Sequence, residues 1–361
     1  KTAEAADVAI ILAGLPQQYE SEGIDRTHID LPPSHNRLVA ELASVQKNLV
    51  VVLTNGSAVA MPWVVNVPSV VESWLGGQAG AGAVADVIFG TVNPSGKLAE
   101  TFPKRLQDTP AYLNFPGESG ESIYGERIFV GYRYYDTLQI EPLFPFGHGL
   151  SYTSFDYGDM KVSDNRITDR DTLTVTATIT NTGKVAGKEV VQLYVADSQS
   201  SLQRPVKELK AFTKVSLNPG ESKEVRFALV ARDFSFYDPR RSRWIAESGE
   251  FKVGIGASSA DIRLSEAIQL SSTQELNYAI DEYTFFRVLW EDDKTRPLII
   301  EFMPEWIASN TAEGRPLEEA DIHPYLLDQP LIKSLYFTEG ELTREQLAEL
   351  IQRCNRMTYR P

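Results

Sequence analysis

Leu49-Val50-Val51-Val52-Leu53 is an unbroken aliphatic run. A strand that is apolar at every position, not at alternate ones, is covered on both faces, as the inner strands of a parallel sheet are. Upstream of it, Asp7 to Leu15 reads as another buried strand, and Ser34 to Gln46 as a helix with Leu38, Val39 and Leu42 on one face. Downstream, Val67 to Leu75 repeats the strand, and Gln78 to Phe89 is a small-residue helix ended by Gly90. This alternation predicts an α/β/α sandwich, a mainly parallel sheet between helices, over residues 1–157.

From about Asp171 to Leu270 the apolar period changes to two. Leu173, Val175, Ala177 and Ile179 alternate with polar residues, as do Val225, Phe227 and Leu229, and Phe251, Val253 and Ile255. Turn signals at Asn181-Thr182-Gly183 and Asn218-Pro219-Gly220-Glu221 separate such runs. Short alternating strands over this length predict an all-β domain, a β-sandwich of the immunoglobulin or fibronectin type III kind, over residues 158–270. Ser271-Ser272-Thr273 reads as a linker to a small α+β extension, residues 271–361. Within it Leu347, Leu350, Ile351 and Cys354 fall at helical spacing, and aromatic residues cluster at Tyr283, Phe285, Phe286, Trp290, Phe302 and Trp306. A folded appendage and a surface for docking or homo-oligomer formation both stay open for it.

The chain has 361 residues, room for two or three domains. Its formal charge of −14 argues against nucleic acid, whose phosphates such a surface repels. No apolar run approaches the roughly 18 residues that cross a bilayer. The single cysteine, Cys354, excludes an internal disulfide and fits a reducing compartment, which slightly favours the cytoplasm. A periplasmic or secreted location stays open, because the chain begins at Lys1 close to a core strand and sequence upstream is expected. Four scattered histidines and that cysteine make no metal-ligand spacing, and neither a metal nor an organic cofactor is expected.

The first strand runs into Tyr19-Glu20-Ser21-Glu22-Gly23-Ile24-Asp25-Arg26, followed by Asp30-Leu31-Pro32. Ligands of open α/β sheets collect at the carboxyl ends of strands, and a carboxyl held there can donate a proton and later take one back. A charged loop is also an ordinary solvated connection, so composition alone leaves its role open. Glu20 and Glu22 are two residues apart and in an extended loop point to similar sides. Asp25 and Arg26 pair and pin the loop or else touch substrate, and Tyr19 lines the site or packs at the loop base. Gly80-Ala81-Gly82-Ala83-Val84-Ala85 satisfies a dinucleotide-binding pattern, but at a later strand than the first βα turn where that pattern belongs. Close helix-to-sheet packing through small residues is the preferred account of those glycines. Tyr132 to Tyr135 and Phe144 to Gly147 read as aromatic mortar between the first two domains.

Together the loop, Ala79 to Gly90, Asn93-Pro94-Ser95-Gly96-Lys97-Leu98, Tyr124 to Tyr135 and Phe144 to Thr153 resemble the C-terminal part of family 3 glycoside hydrolases, in their β-glucosidase branch. The resemblance implies a retaining hydrolase of terminal β-D-glucosyl residues, acting on a β-glucoside or oligosaccharide. It implies that Glu22 is the general acid/base, with Tyr19, Glu20, Asp25 and Arg26 binding substrate or positioning the loop. It further implies that the nucleophilic aspartate lies on a (β/α)8 barrel, supplied in cis or in trans, for which this α/β segment is far too short. A β-xylosidase of the same family, and a non-catalytic carbohydrate-binding or scaffolding protein, are the alternatives.

Overall fold

A computed structural model describes residues 1–239, 241–274 and 279–358. Strands β1 (Ala9–Gly14), β2 (Leu49–Thr54) and β3 (Ser69–Glu72) pair in parallel in the order β1-β2-β3. Helix α1 (Pro33–Ala43) makes the first crossover and opens with proline, whose missing N–H would have been unpaired there anyway. On β2, Leu49, Val51, Val52 and Leu53 are all buried, the two-sided cover that its unbroken run predicts. Gly14 ends β1 where the chains pass close: a Cβ there would lie 2.2 Å from the Thr54 carbonyl oxygen. The loop carrying Glu22 leaves directly from that tight junction.

Two expectations for this region need correction. On β1 Ile11 and Ala13 are buried but Leu12 is 75% exposed, so one face of this strand lacks the helical cover expected of it. Helix α2 (Gly80–Ile88) contains no buried residue, and nothing approaches within 4 Å of where a Cβ would stand on Gly80 or Gly82. Close helix-to-sheet packing therefore does not explain these glycines among the described residues. A short helix α3 (Tyr132–Leu138) completes this half.

The sandwich is built from β4 (Phe155–Val162), β5 (Arg166–Thr168), β6 (Leu173–Asn181), β7 (Gly187–Asp197), β8 (Glu208–Leu217) and β9 (Ser222–Leu229). Helix α4 (Ala231–Phe234) and the hairpin β10 (Phe236–Asp238) and β11 (Arg243–Ile245) follow, then β12 (Gly249–Ser258) and β13 (Asp261–Ser271). One sheet runs β4-β6-β9, the other β5-β13-β12-β7-β8. The alternating residues of β6, β9 and β12 that the sequence singles out all enter the shared core with Val191, Leu193 and Val195 of β7. The class is thus α/β followed by a fibronectin type III-like sandwich.

The two halves form one compact unit, residues 1–235 and 246–273, and of the aromatic residues expected as mortar Tyr132 and Phe146 meet the sandwich, whereas Phe144 packs on Phe102 within the α/β half. Tyr132 stacks on Phe146 with ring centroids 4.9 Å apart, and its hydroxyl accepts from the Leu209 backbone N–H at 2.7 Å. Around it Arg133 pairs with Glu208 and Lys207 with Asp136. A second compact unit comprises the β10–β11 hairpin and the C-terminal segment. Its helices are α5 (Phe286–Trp290), α6 (Arg296–Phe302), α7 (Pro304–Ser309), α8 (Pro324–Leu327), α9 (Ser334–Phe337) and α10 (Arg344–Thr358). Phe286, Ile299, Leu331, Leu347, Leu350 and Cys354 form its core, and burial pushes the Cys354 thiol up to about 12.

Candidate active site

Ser21 and Ile24 form an isolated antiparallel bridge with Glu22 and Gly23 between them. Gly23 has φ +77° while Glu22 keeps negative φ, the type II pattern that favours glycine at the third position of the turn. Glu22 is thereby held at the exposed tip. At the base of the loop the Tyr19 and His28 rings meet edge to face at 5.9 Å, and the Ala60 N–H donates to the Ile29 carbonyl at 2.8 Å. Tyr19 is thus tied into the base of the loop.

Glu20 and Glu22 sit in different surroundings, Glu22 exposed and Glu20 partly buried. Glu20 turns inward to the Asn55-Gly56-Ser57 turn that follows β2. Its Oε2 accepts from the Gly56 N–H at 2.8 Å, and its Oε1 from the Ser57 hydroxyl at 3.2 Å. A Cβ on Gly56 would lie 2.8 Å from Glu20 Oε1, so a bare backbone is what lets the carboxylate approach. Glu20 precedes the Ser21–Ile24 bridge and Glu22 sits inside the turn it closes, so the alternation of an extended strand does not relate the two.

Arg26 is bonded to the turn after β2 and not to Asp25. Its Nη1 donates to Ser57 Oγ at 2.7 Å and to the Ala58 carbonyl at 3.4 Å, while Asp25 is exposed and no ion pair joins the two among the described residues. Burial lowers the Arg26 pKa, against the pull of Glu20, Asp30 and Glu100. Ile24, Asp25, Arg26, Ser57, Glu100, Phe115 and Tyr135 line an open cavity of about 590 Å³ beside the loop.

Two carboxyls here escape sequence reading. Glu72 ends β3, where its Oε1 accepts from the Trp74 N–H at 2.9 Å and its Oε2 from Asn55 Nδ2 at 3.2 Å. Burial raises its pKa to about 7, helped by the charges of Glu100 and Glu20 and opposed by those two donors. Burial likewise raises Glu100, which the Ala58 backbone N–H and Arg26 partly offset. The available signal was position: Asn55-Gly56-Ser57 and Glu72 follow or end neighbouring parallel strands, at their carboxyl ends. Among the described residues no group of three or more His, Cys, Asp or Glu side chains could hold a metal ion.

A parallel α/β domain with an acidic loop at its strand ends, joined to a fibronectin type III-like sandwich, is the C-terminal architecture of a glycoside hydrolase family. Residues 1–152 match the glycosyl hydrolase family 3 C-terminal domain and residues 189–259 the fibronectin type III-like domain, and the chain belongs to glycoside hydrolase family 3. It is 47% identical over 358 residues to thermostable beta-glucosidase B of Acetivibrio thermocellus, a match covering 98% of this chain and 47% of that protein. That alignment takes in most of the C-terminal extension, which therefore has a counterpart in a relative. The crystal structure of the Bifidobacterium adolescentis GH3 beta-glucosidase is similar with TM-score 0.75 and 44% identity, over 82% of this chain and 44% of that one. The Kluyveromyces marxianus beta-glucosidase in complex with glucose has TM-score 0.71 and 43% identity, over 75% of this chain and 32% of that one. This chain spans less than half the length of each of these proteins.

Proposed function

We propose that this chain supplies the general acid/base of a retaining β-glucosidase that releases terminal non-reducing β-D-glucosyl residues. The reading gives Glu22 that role, on residues 1–157, and places the nucleophilic aspartate on a (β/α)8 barrel acting in cis or in trans. The observation that supports it is the division of labour in the loop: Glu20 is engaged by two donors, while Glu22 is exposed at the tip of a glycine-dependent turn with no hydrogen bond among the described residues. Relatives named as beta-glucosidases, one of them crystallised with glucose, supply the substrate class.

In the first step protonated Glu22 donates to the glycosidic oxygen as the aspartate attacks the anomeric carbon, which releases the aglycone and leaves a glycosyl ester. In the second, the Glu22 carboxylate takes a proton from water, whose oxygen displaces the aspartate and frees the sugar. Retention needs the two carboxyls about 5–5.5 Å apart. A general acid at neutral pH works from a site shielded from water, and the barrel would supply that cover on closing over the loop. Arg26 and Glu20 serve by fixing the loop, since misplacing a catalytic group by about 1 Å can slow a reaction about 100-fold.

The test compares the chain alone with the chain completed by a family 3 barrel. Alone it should not hydrolyse aryl β-glucosides; completed, it should. In the completed enzyme Glu22→Gln should slow glucosides with poor leaving groups by about 10²–10⁴, the usual weight of general acid catalysis, and activated aryl glucosides far less at the glycosylation step. Equal slowing of both classes would remove Glu22 from the role.

A further inference from the structure

The carboxyl ends of the three parallel strands are tied crosswise by one hydrogen-bonded relay. From β3, Glu72 accepts from Asn55 Nδ2 at 3.2 Å, and the same nitrogen donates to the Ser57 carbonyl at 2.9 Å, closing the turn after β2. That turn in turn holds the loop after β1: the Gly56 N–H and Ser57 Oγ bind Glu20, and Ser57 Oγ accepts from Arg26. Asn55 is fully buried, so its orientation is set by its partners and not by water. We propose that Glu72 is a positioning residue for the acid/base loop, acting through Asn55 on the turn that holds Glu20 and Arg26. The proposal rests on the role assigned to Glu22, although the relay itself can be measured without turnover.

The chemistry of Glu72 singles it out. Both of its oxygens face donors, the Trp74 N–H and the Asn55 amide, and only a carboxylate accepts fully on both. A glutamine cannot replace it, because either orientation of its amide sets an NH2 group against one of those donors. A protonated carboxyl keeps one good acceptor and weakens the other. The charged groups acting on it are Glu100 and Glu20, both of which favour its neutral form, and no cation is paired with it among the described residues. With its pKa at about 7, the hold on Asn55 strengthens as pH rises through neutrality.

Backbone amide exchange at Gly56 and Ser57 tests this on the chain as it stands. Glu72→Gln should speed exchange there by about tenfold at pH 8, the weight of one charge-assisted hydrogen bond, and by much less at pH 6, where wild-type Glu72 is itself largely neutral. Asn55→Ala, which cuts the relay and keeps Glu72, should abolish that pH dependence. In the barrel-completed enzyme Glu72→Gln should lower kcat and leave KM within about twofold, as expected of a loop misplaced for the chemical step alone. An exchange ratio equal at the two pH values, or unchanged kcat despite a loosened turn, would overturn the proposal. If Glu22 proves not to be the proton donor, the exchange result stands unaffected, so the two failures are told apart.

Discussion

Glu20→Ala removes the acceptor for two donors at once, and its effect can be worked from their geometry. The Gly56 N–H reaches Glu20 Oε2 at 2.8 Å, and the Ser57 hydroxyl reaches Oε1 at 3.2 Å, a longer and weaker bond. A hydrogen bond to a charged group contributes about 1.5–3 kcal/mol when well buried. Glu20 is only partly buried, so water competes, and about 1 kcal/mol for the amide and about 0.5 kcal/mol for the hydroxyl is the reasonable scale. Losing both gives about 1.5 kcal/mol, or roughly a tenfold rise in opening of the turn. Amide exchange at Gly56, followed by NMR, reads that opening directly, with Glu22→Ala as the control because Glu22 does not touch the turn. The expected pattern is about tenfold faster exchange in Glu20→Ala and a change of less than twofold in Glu22→Ala. Equal behaviour of the two variants would refute the assignment of Glu20 as anchor and Glu22 as free tip.

Gly23→Ala should open the Ser21–Ile24 bridge by about 1 kcal/mol through backbone strain alone, since φ is +77° and nothing lies within 4 Å of the new methyl group. Gly23→Asn should do so by about half as much, because asparagine tolerates that conformation, and amide exchange across the bridge would distinguish them. Glu72 also makes stability depend on pH. Its folded pKa is raised from 4.5 to about 7, so its neutral form is the favoured one: the contribution is complete below the unfolded pKa and is lost as pH rises through about 7. The shift corresponds to roughly 3 kcal/mol, reduced to about 2 kcal/mol for partial exposure. Urea unfolding at pH 5 and pH 8 should show that loss in wild type and not in Glu72→Gln.

Within the α/β half, the legible features were those written in local pattern. The apolar run of β2, and Val39 on the buried face of α1, announced a parallel sheet with helical crossovers. The period-two stretches of β6, β9 and β12 announced the sandwich because alternation follows from the pleat of a strand, whatever its partners. Aromatic residues at Tyr132 and Phe146 were correctly placed at the junction, since such area is seldom left to water. Gly80 and Gly82 misled, because a small residue permits close packing without requiring it, and on α2 no neighbour takes up the space.

What a chain dictates by itself is whatever depends on near neighbours in sequence: element type, the faces that must be buried, and the turn at Gly23 that lifts Glu22. The separation of Glu20 from Glu22, the attachment of Arg26 to Ser57 instead of Asp25, and the raised pKa of Glu72 belong to tertiary structure. Each depends on residues 17 to 37 positions apart, brought together at the ends of three adjacent strands. Hydrogen bonding and desolvation act through space, so the sequence could name these residues but not pair them.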